Sequence, residues 1–319
     1  MLSSWFMSSR SLFTAKMGDC SVGLSAQQTL ESALKYTALA PTESGLKTWR
    51  FRLTNTYIDL LTKDNPELDR VDPERREVMI GCGSALLYLT LALKHVGCLG
   101  KVTIFPDIGQ PELVARIHFG FCWGTSALEK LISETMVESR AVVTPDETPI
   151  SESMFASLVE AAAGERSWLD IVRNEMSCNQ VLSATLKEWQ QTPKGMSRAG
   201  LTFVFGSGGS SPLVGTVIPI QQPVASKMAL AVVKTKTDDK HGWLQAGQTL
   251  ARTVLQAQKL SLMWTFINPM RHREKREALR TGVGHKGFVQ VILRLGGQNA
   301  LQWNPAFEAS QLSTQPQIR

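Results

Sequence analysis

The sequence predicts an α+β protein made of two related halves, each with its own sheet, with long helices between them. Three observations lead there. Short extended runs alternate with helical ones, beginning with Arg50 to Leu53 and Tyr57 to Leu61 on either side of Thr54-Asn55-Thr56, the pattern of a hairpin. The stretch Glu74 to Val96 has no charge between Glu77 and Lys94 and is apolar on every side, so it is expected as a helix buried between other elements. A strand over Met228 to Val233, a Thr237-Asp238-Asp239 cap and an amphipathic helix over Trp243 to Lys259 then repeat the order strand, acidic turn, helix. Setting Gly83 over Gly247 places Ile80 over Leu244, Leu86 over Leu250 and Leu91 over Leu255, which suggests a duplication.

In chain order, Ser25 and Gln28 form the Ser-x-x-Gln of a capping box, and the helix they open carries Leu30, Ala33, Leu34 and Thr37 on one face. Pro41 ends it, because its ring removes a donor and biases Ala40 away from helical angles. A polar loop runs from there to Trp49. Asp64-Asn65-Pro66 and Asp72-Pro73 signal turns, and acids in Asp72-Pro73-Glu74 suit the first turn of the apolar helix. Lys101 to Phe105 reads as a strand, with Gln110-Pro111-Glu112 leading into a helix through Ile117. Arg140 to Pro149 reads as an extended connector, and Ser151 caps a helix through Ala163. Trp168 to Lys187 is helical in composition, Gln190 to Arg198 reads as a polar lid and Leu201 to Phe205 as a strand. Gly206 to Pro212 is Gly-rich but lacks the Gly-x-Gly-x-x-Gly spacing of a dinucleotide site. Arg271 to Arg280 is expected to be the solvated face of a short helix, and Phe288 to Gly296 a closing strand.

Composition narrows the function classes. The chain has 319 residues, 43% hydrophobic and 19% charged, which suits a compact enzyme-like body. Its net charge of +6 favours anions such as nucleotides, yet the densest basic run interleaves acids and has no aromatic to stack a base, so nucleic acid is not expected. Cys20, Cys82, Cys98, Cys122 and Cys178 show no Cys-x-x-Cys spacing, and the five histidines are scattered singly; no disulfide framework or metal site is expected, and a cytoplasmic location fits. No apolar run is expected to span a bilayer. Residues 1–23 read as a disordered or misassigned extension, and residues 310–319 as a polar tail.

The order Ala40-Pro41-Thr42-x-x-Gly45-x-Lys47-Thr48-Trp49-Arg50-Phe51 resembles the Ala-Pro-Ser-x-x-Asn-x-Gln-Pro-Trp-Arg-Phe loop of nitroreductase-like FMN oxidoreductases. Thr42 stands for the family's Ser, Gly45 for its Asn, Lys47 for its Gln and Thr48 for its Pro. Asp72-Pro73-x-x-Arg76-Glu77-x-x-Ile80-x-Cys82-Gly83-x-Ala85-Leu86, with Phe105-Pro106-Asp107 and Leu113-x-Ala115-Arg116, is similar to the double-length Acg-type branch of that superfamily. The segment Val289-Gln290-x-x-x-Arg294-x-Gly296 resembles its closing strand, Pro-Gln-x-x-x-Arg-x-Gly.

The resemblance implies a nitroreductase-like fold in which one chain supplies both halves of an intrachain pseudo-dimer, residues 24–135 and 136–309, the second carrying the lid. It implies FMN in the groove between them. Thr42, Gly45, Lys47 and Thr48 are the implied ring contacts from the first half, Trp264 and Thr265 those from the second, and Ser139 and Arg140 the phosphate contacts. The flavin would carry the redox chemistry, so no catalytic acid, base or nucleophile is sought. The implied activity takes hydride from NAD(P)H and passes electrons to a nitro, quinone or similar acceptor, by a monomeric pseudo-dimer or a homodimer. The alternative is a non-catalytic relative that sequesters flavin or has lost it.

Overall fold

The computed structural model describes residues 30, 33–43, 46–120, 141–146, 150–164, 166–174, 176–178, 181, 229–267, 273–284 and 286–303. The expected Ser25–Gln28 cap therefore lies outside the described residues. Residues 33–36 are helical and tighten into a 3-10 turn, Thr37–Leu39, before Ala40 swings to an extended ψ of 129° ahead of Pro41. Leu30, Ala33, Leu34 and Thr37 are all buried, as their shared face requires.

Strands β1 (Trp49–Leu53) and β2 (Tyr57–Thr62) form the expected antiparallel hairpin, closed by the Thr54 amide donating to the Tyr57 carbonyl at 3.0 Å. A short helix α1 (Pro66–Val71) follows, its first turn held by the Leu68 amide donating to the Asn65 side chain at 3.1 Å. The buried helix α2 spans Arg76–His95. It starts later than Glu74 because Arg75 is left-handed (φ 57°), and the Asp72 carboxylate accepts from the amides of Arg76, Glu77 and Val78 at 3.0, 2.7 and 3.3 Å. One side chain thus satisfies donors that a helix start leaves without partners.

The segment after β3 (Leu99–Ile104) corrects the sequence expectation: Leu113 to Phe119 is strand β4, not a helix. It lies between β2 and β3 in the order β1-β2-β4-β3, paired antiparallel on both edges. Leu113, Val114, Ala115 and Ile117 are buried in that central position, where β-branched side chains pack well. A second correction concerns α2, which at 20 residues and a mean hydropathy of 1.4 is long and apolar enough to cross a membrane; here 83% of its apolar window is buried inside the protein.

In the second half, β5 (Ala141–Asp146) precedes α3 (Glu152–Ala162), capped by Ser151 accepting from the Met154 amide at 3.3 Å. A further correction falls at Trp168, where a strand β6 (Ser167–Val172) replaces the start of the expected helix. Its Trp, Leu, Ile and Val pair along β7 (Ala229–Thr235), and that partner decides the matter over local composition. Helix α4 (Lys240–Lys259) is capped by Asp239, as expected, through the Gly242 amide at 2.8 Å. Then come β8 (Met263–Phe266), α5 (Arg273–Val283) and β9 (Phe288–Trp303). The sheet order is β5-β9-β7-β6 with β8 also on β9, and β9 outruns the expected Gly296 because its later residues pair with β5. The expected lid at Gln190 to Arg198, the strand at Leu201 to Phe205, the Gly-rich loop and the polar tail lie outside the described residues.

Helices α2 and α4 pack directly on each other, and their glycines meet. A Cβ on Gly83 would stand 2.0 Å from the Leu244 carbonyl oxygen and 3.0 Å from the Gly247 Cα. A Cβ on Gly247 would stand 1.9 Å from the Ile80 carbonyl oxygen and 2.9 Å from the Gly83 Cα. The contact is reciprocal, position for position, as across a two-fold axis. Ser84 Oγ donates to the Gly247 carbonyl at 3.0 Å and closes the gap between the backbones. The cores interlock around the crossing: Leu244, Ala251 and Leu255 of α4 join the first-half core, while Ile80 of α2 joins the second. Gly247→Ala is therefore expected to lower stability by about 2 kcal/mol by forcing the helices apart, read as a lower urea midpoint; Ala at the exposed Gly109 serves as the control.

Candidate functional site

The candidate site is built where the polar loop before β1 lies against the first turns of α2. Thr48 is 1% exposed, and its hydroxyl donates to the Val78 carbonyl at 3.2 Å. A Cβ on Gly81 would meet Thr48 Oγ1 at 2.3 Å and the Thr42 methyl at 3.4 Å, so this glycine lets the loop settle onto the helix. Thr42 and Glu43 are buried beside it, and Lys47 stands exposed at the rim. Partial burial holds the Lys47 ammonium below its ordinary value, and the charge of Lys63 adds to that. Lys63 is tied to the same loop by its amide, which donates to the Thr48 carbonyl at 2.8 Å.

A polar junction joins this corner to the second half. Arg76 is 2% exposed; its Nε donates to Gln290 Oε1 at 2.9 Å and its terminal nitrogen to the Gln290 carbonyl. Gln290 Nε2 donates onward to Thr235 Oγ1 and Asp238 Oδ1, both at 3.0 Å. Asp238 also accepts from Trp243 Nε1 at 2.7 Å and Arg276 at 3.0 Å. Burial pushes the Arg76 guanidinium below its ordinary value, with Glu43 the largest opposing influence, followed by Asp238 and Asp72 after the adverse charge of Arg276. Burial would raise the Asp238 carboxyl, yet the bonds from Gln290, Trp243 and Arg276 outweigh it and hold the carboxyl low. Arg276 thus departs from the expected solvated face of its helix: its side chain is 3% exposed, as is that of its partner Asp238.

Of the residues singled out from the sequence, Thr42, Lys47 and Thr48 come together on the loop. Trp264, on β8, is 3% exposed and packs edge-on to Phe266, ring centroids 5.5 Å apart, in the second-half core. Its Nε1 is buried with no hydrogen-bond partner among the described residues. Thr265 stands opposite Arg294 in the β8–β9 register. Gly45, Ser139 and Arg140 lie outside the described residues. Cys82 is a buried apolar filler, as expected, its thiol pushed up to about 12 by burial, which leaves it inert as a nucleophile. Among the described residues no group of His, Cys, Asp and Glu could hold a metal ion.

Sequence reasoning missed Arg76, Asp238, Arg276 and Gln290 as one unit. The signal it did contain was the position of Arg76 and Gln290 inside matched family segments, without any hint that they touch across 214 residues.

No model of a known protein family matches the chain. Along nearly its whole length it is similar to a Mycobacterium tuberculosis protein named "Putative NAD(P)H nitroreductase", 24% identical over 326 aligned positions that cover 91% of this chain and 92% of that one. A second, uncharacterized M. tuberculosis protein is 20% identical over 296 positions, covering 84% and 86%. Among solved structures, a Bacteroides fragilis nitroreductase with bound FMN covers 54% of this chain and 92% of its own, at 17% identity and a TM-score of 0.38. A BluB-like flavoprotein from Clostridium difficile covers 55% and 93%, at 12% identity and a TM-score of 0.38. The chain's resemblance is to the nitroreductase-like superfamily.

The depressed Asp238 carboxyl gives a pH dependence with a defined sign. Its stabilisation is present above the unfolded carboxyl value of about 3.9 and is lost as pH falls through the lower folded value. Asp238→Asn, which leaves Arg276 buried beside a neutral group, is expected to cost about 3 kcal/mol at pH 7. In urea titrations from pH 7 to 3 the difference from the parent should hold constant to about pH 5 and shrink below pH 4.

Proposed function

We propose that the chain is an FMN-dependent oxidoreductase, which takes hydride from NAD(P)H and passes electrons to a nitro compound, quinone or similar acceptor. One observation carries the reading: the Thr42 to Thr48 loop, which stands where the family has its flavin-facing loop between an unchanged Ala40-Pro41 and Trp49-Arg50-Phe51, packs on the turns of α2 that also touch the second half. The similarity to a protein named as an NAD(P)H nitroreductase extends along nearly the whole chain and supports the same activity. Both walls of the cofactor groove would come from this one chain, a pseudo-dimer in a single polypeptide.

The donors of the described loop suit a flavin. Thr42 brings a hydroxyl, while the Thr48 proton is already given to the Val78 carbonyl, and Lys47 brings an ammonium that makes no ion pair among the described residues and is repelled by Lys63. Such a group gains from an acceptor-rich or anionic neighbour. When bound, FMN would supply the hydride and electron transfer that no side chain here can perform. The protein's part is narrower. Lys47 would hold negative charge at the cofactor's edge, Thr42 would hydrogen-bond it, and Thr48, fixed to the Val78 carbonyl, would keep the loop from moving. The phosphate would fall to Ser139 and Arg140.

Purified protein is expected to carry yellow flavin absorbance that bleaches on anaerobic addition of NADPH or NADH. A yellow protein inert to both would indicate flavin storage, and a colourless one that cannot be reconstituted with FMN would overturn the reading. Lys47→Ala is expected to weaken FMN binding about tenfold, the loss of one charge-assisted contact, measured by the quenching of flavin fluorescence on titration.

A further inference from the structure

The planar fork of Arg76 grips β9 through both the side chain and the backbone carbonyl of Gln290. It also feels the charge of Glu43, which belongs to the loop that carries Thr42, Lys47 and Thr48. A guanidinium buried this deeply is held only while its partners stay in place, because moving it strands a charge away from water. Gln290 is fixed in turn by Thr235 and Asp238, and Asp238 by Trp243 and Arg276. The loop leans on the same helical turn, since the Thr48 hydroxyl binds Val78, two residues on from Arg76. Loop and β9 are therefore both bonded to the start of α2, the loop at Val78 and β9 at Arg76.

We propose that Arg76, clamped by Gln290, is a positioning residue that sets the loop wall carrying Thr42, Lys47 and Thr48 against the second half, and so fixes the width of the cofactor groove. The proposal rests on the flavin reading for its functional meaning, while the coupling between loop and β9 rests on contacts within this chain. Arg76 touches no reacting atom; it acts through the loop. Lysine at this position would keep the charge and lose the fork.

The test uses the full chain in two variants, Gln290→Ala and Arg76→Lys, with Lys101→Ala, at an exposed position of β3, as the control. Amide hydrogen exchange is followed by mass spectrometry over residues 40–48 and over the middle of α2 and α4, without cofactor, and FMN is titrated separately. Both variants are expected to speed exchange in residues 40–48 about tenfold, with the helix crossing still protected, as for a local opening. They are also expected to weaken FMN binding about tenfold, while the control changes neither. Unchanged exchange over residues 40–48 in both variants would overturn the proposal. So would a rise spread equally over the crossing helices, which would mean Arg76 merely holds the fold. If Gln290→Ala does not fold, Arg76→Lys decides by the same two readouts. Selective loosening of the loop in a parent that takes no FMN would remove the flavin reading and leave the loop-to-β9 coupling standing.

Discussion

Two helices that touch backbone to backbone at Gly83 and Gly247 hold everything else in place. Side chains normally keep helix axes 8–10 Å apart, and the missing Cβ atoms let α2 and α4 approach until each glycine lies against a carbonyl of the other helix. At that range Ile80 reaches the second core and Leu244, Ala251 and Leu255 reach the first. Each of the two cores that meet at the crossing takes in at least one residue from the other half. The four-stranded sheet β1-β2-β4-β3 and the sheet built on β9 are thus two layers around one shared column.

The polar junction sits off the end of that crossing and has a different physical character. An apolar interface tolerates sliding, whereas Arg76, Asp238 and Arg276 lose several kcal/mol of solvation on burial and recover it only in one arrangement. The same logic appears at Lys234, fully buried, whose ammonium donates to the carbonyls of Val283 at 2.6 Å and Gly284 at 3.1 Å and pairs with Asp170 at 2.7 Å. There a cation meets the C-terminal carbonyls of α5 and the helix dipole behind them. On the first sheet, Asp59 is held between Arg52 and Arg116 across neighbouring strands, and these bonds outweigh the upward pull of burial to keep its carboxyl low. Each of these groups fixes a register that hydrophobic packing alone would leave loose.

These two constraints give the candidate site its rigidity. Apolar contact sets the distance between halves, and buried charge sets their alignment. The loop from Thr42 to Thr48 borrows both: Gly81 admits it to the surface of α2, and Glu43 reaches the field of Arg76. The described loop is thus held against α2 by contacts already made without any ligand, which is what pre-organises a surface for binding.

The sequence by itself determined the elements whose information is local. The run from Glu77 to Lys94 without a charge demanded burial on all sides, Pro41 ended a helix, Thr54-Asn55-Thr56 joined two strands, and Ser151 and Asp239 capped the helices they precede. It also placed Gly83 over Gly247, which meet at the crossing, and Ile80 over Leu244, whose carbonyls each face the glycine of the other helix. Only the tertiary structure decided that Leu113 to Phe119 and Ser167 to Val172 are strands, because a short apolar segment takes the form its neighbours' edges offer. It alone joined Arg76 to Gln290 and sank Arg276 beside Asp238. A charged residue reads as surface until the fold brings its counter-charge, and no local pattern records a partner that distant in the chain.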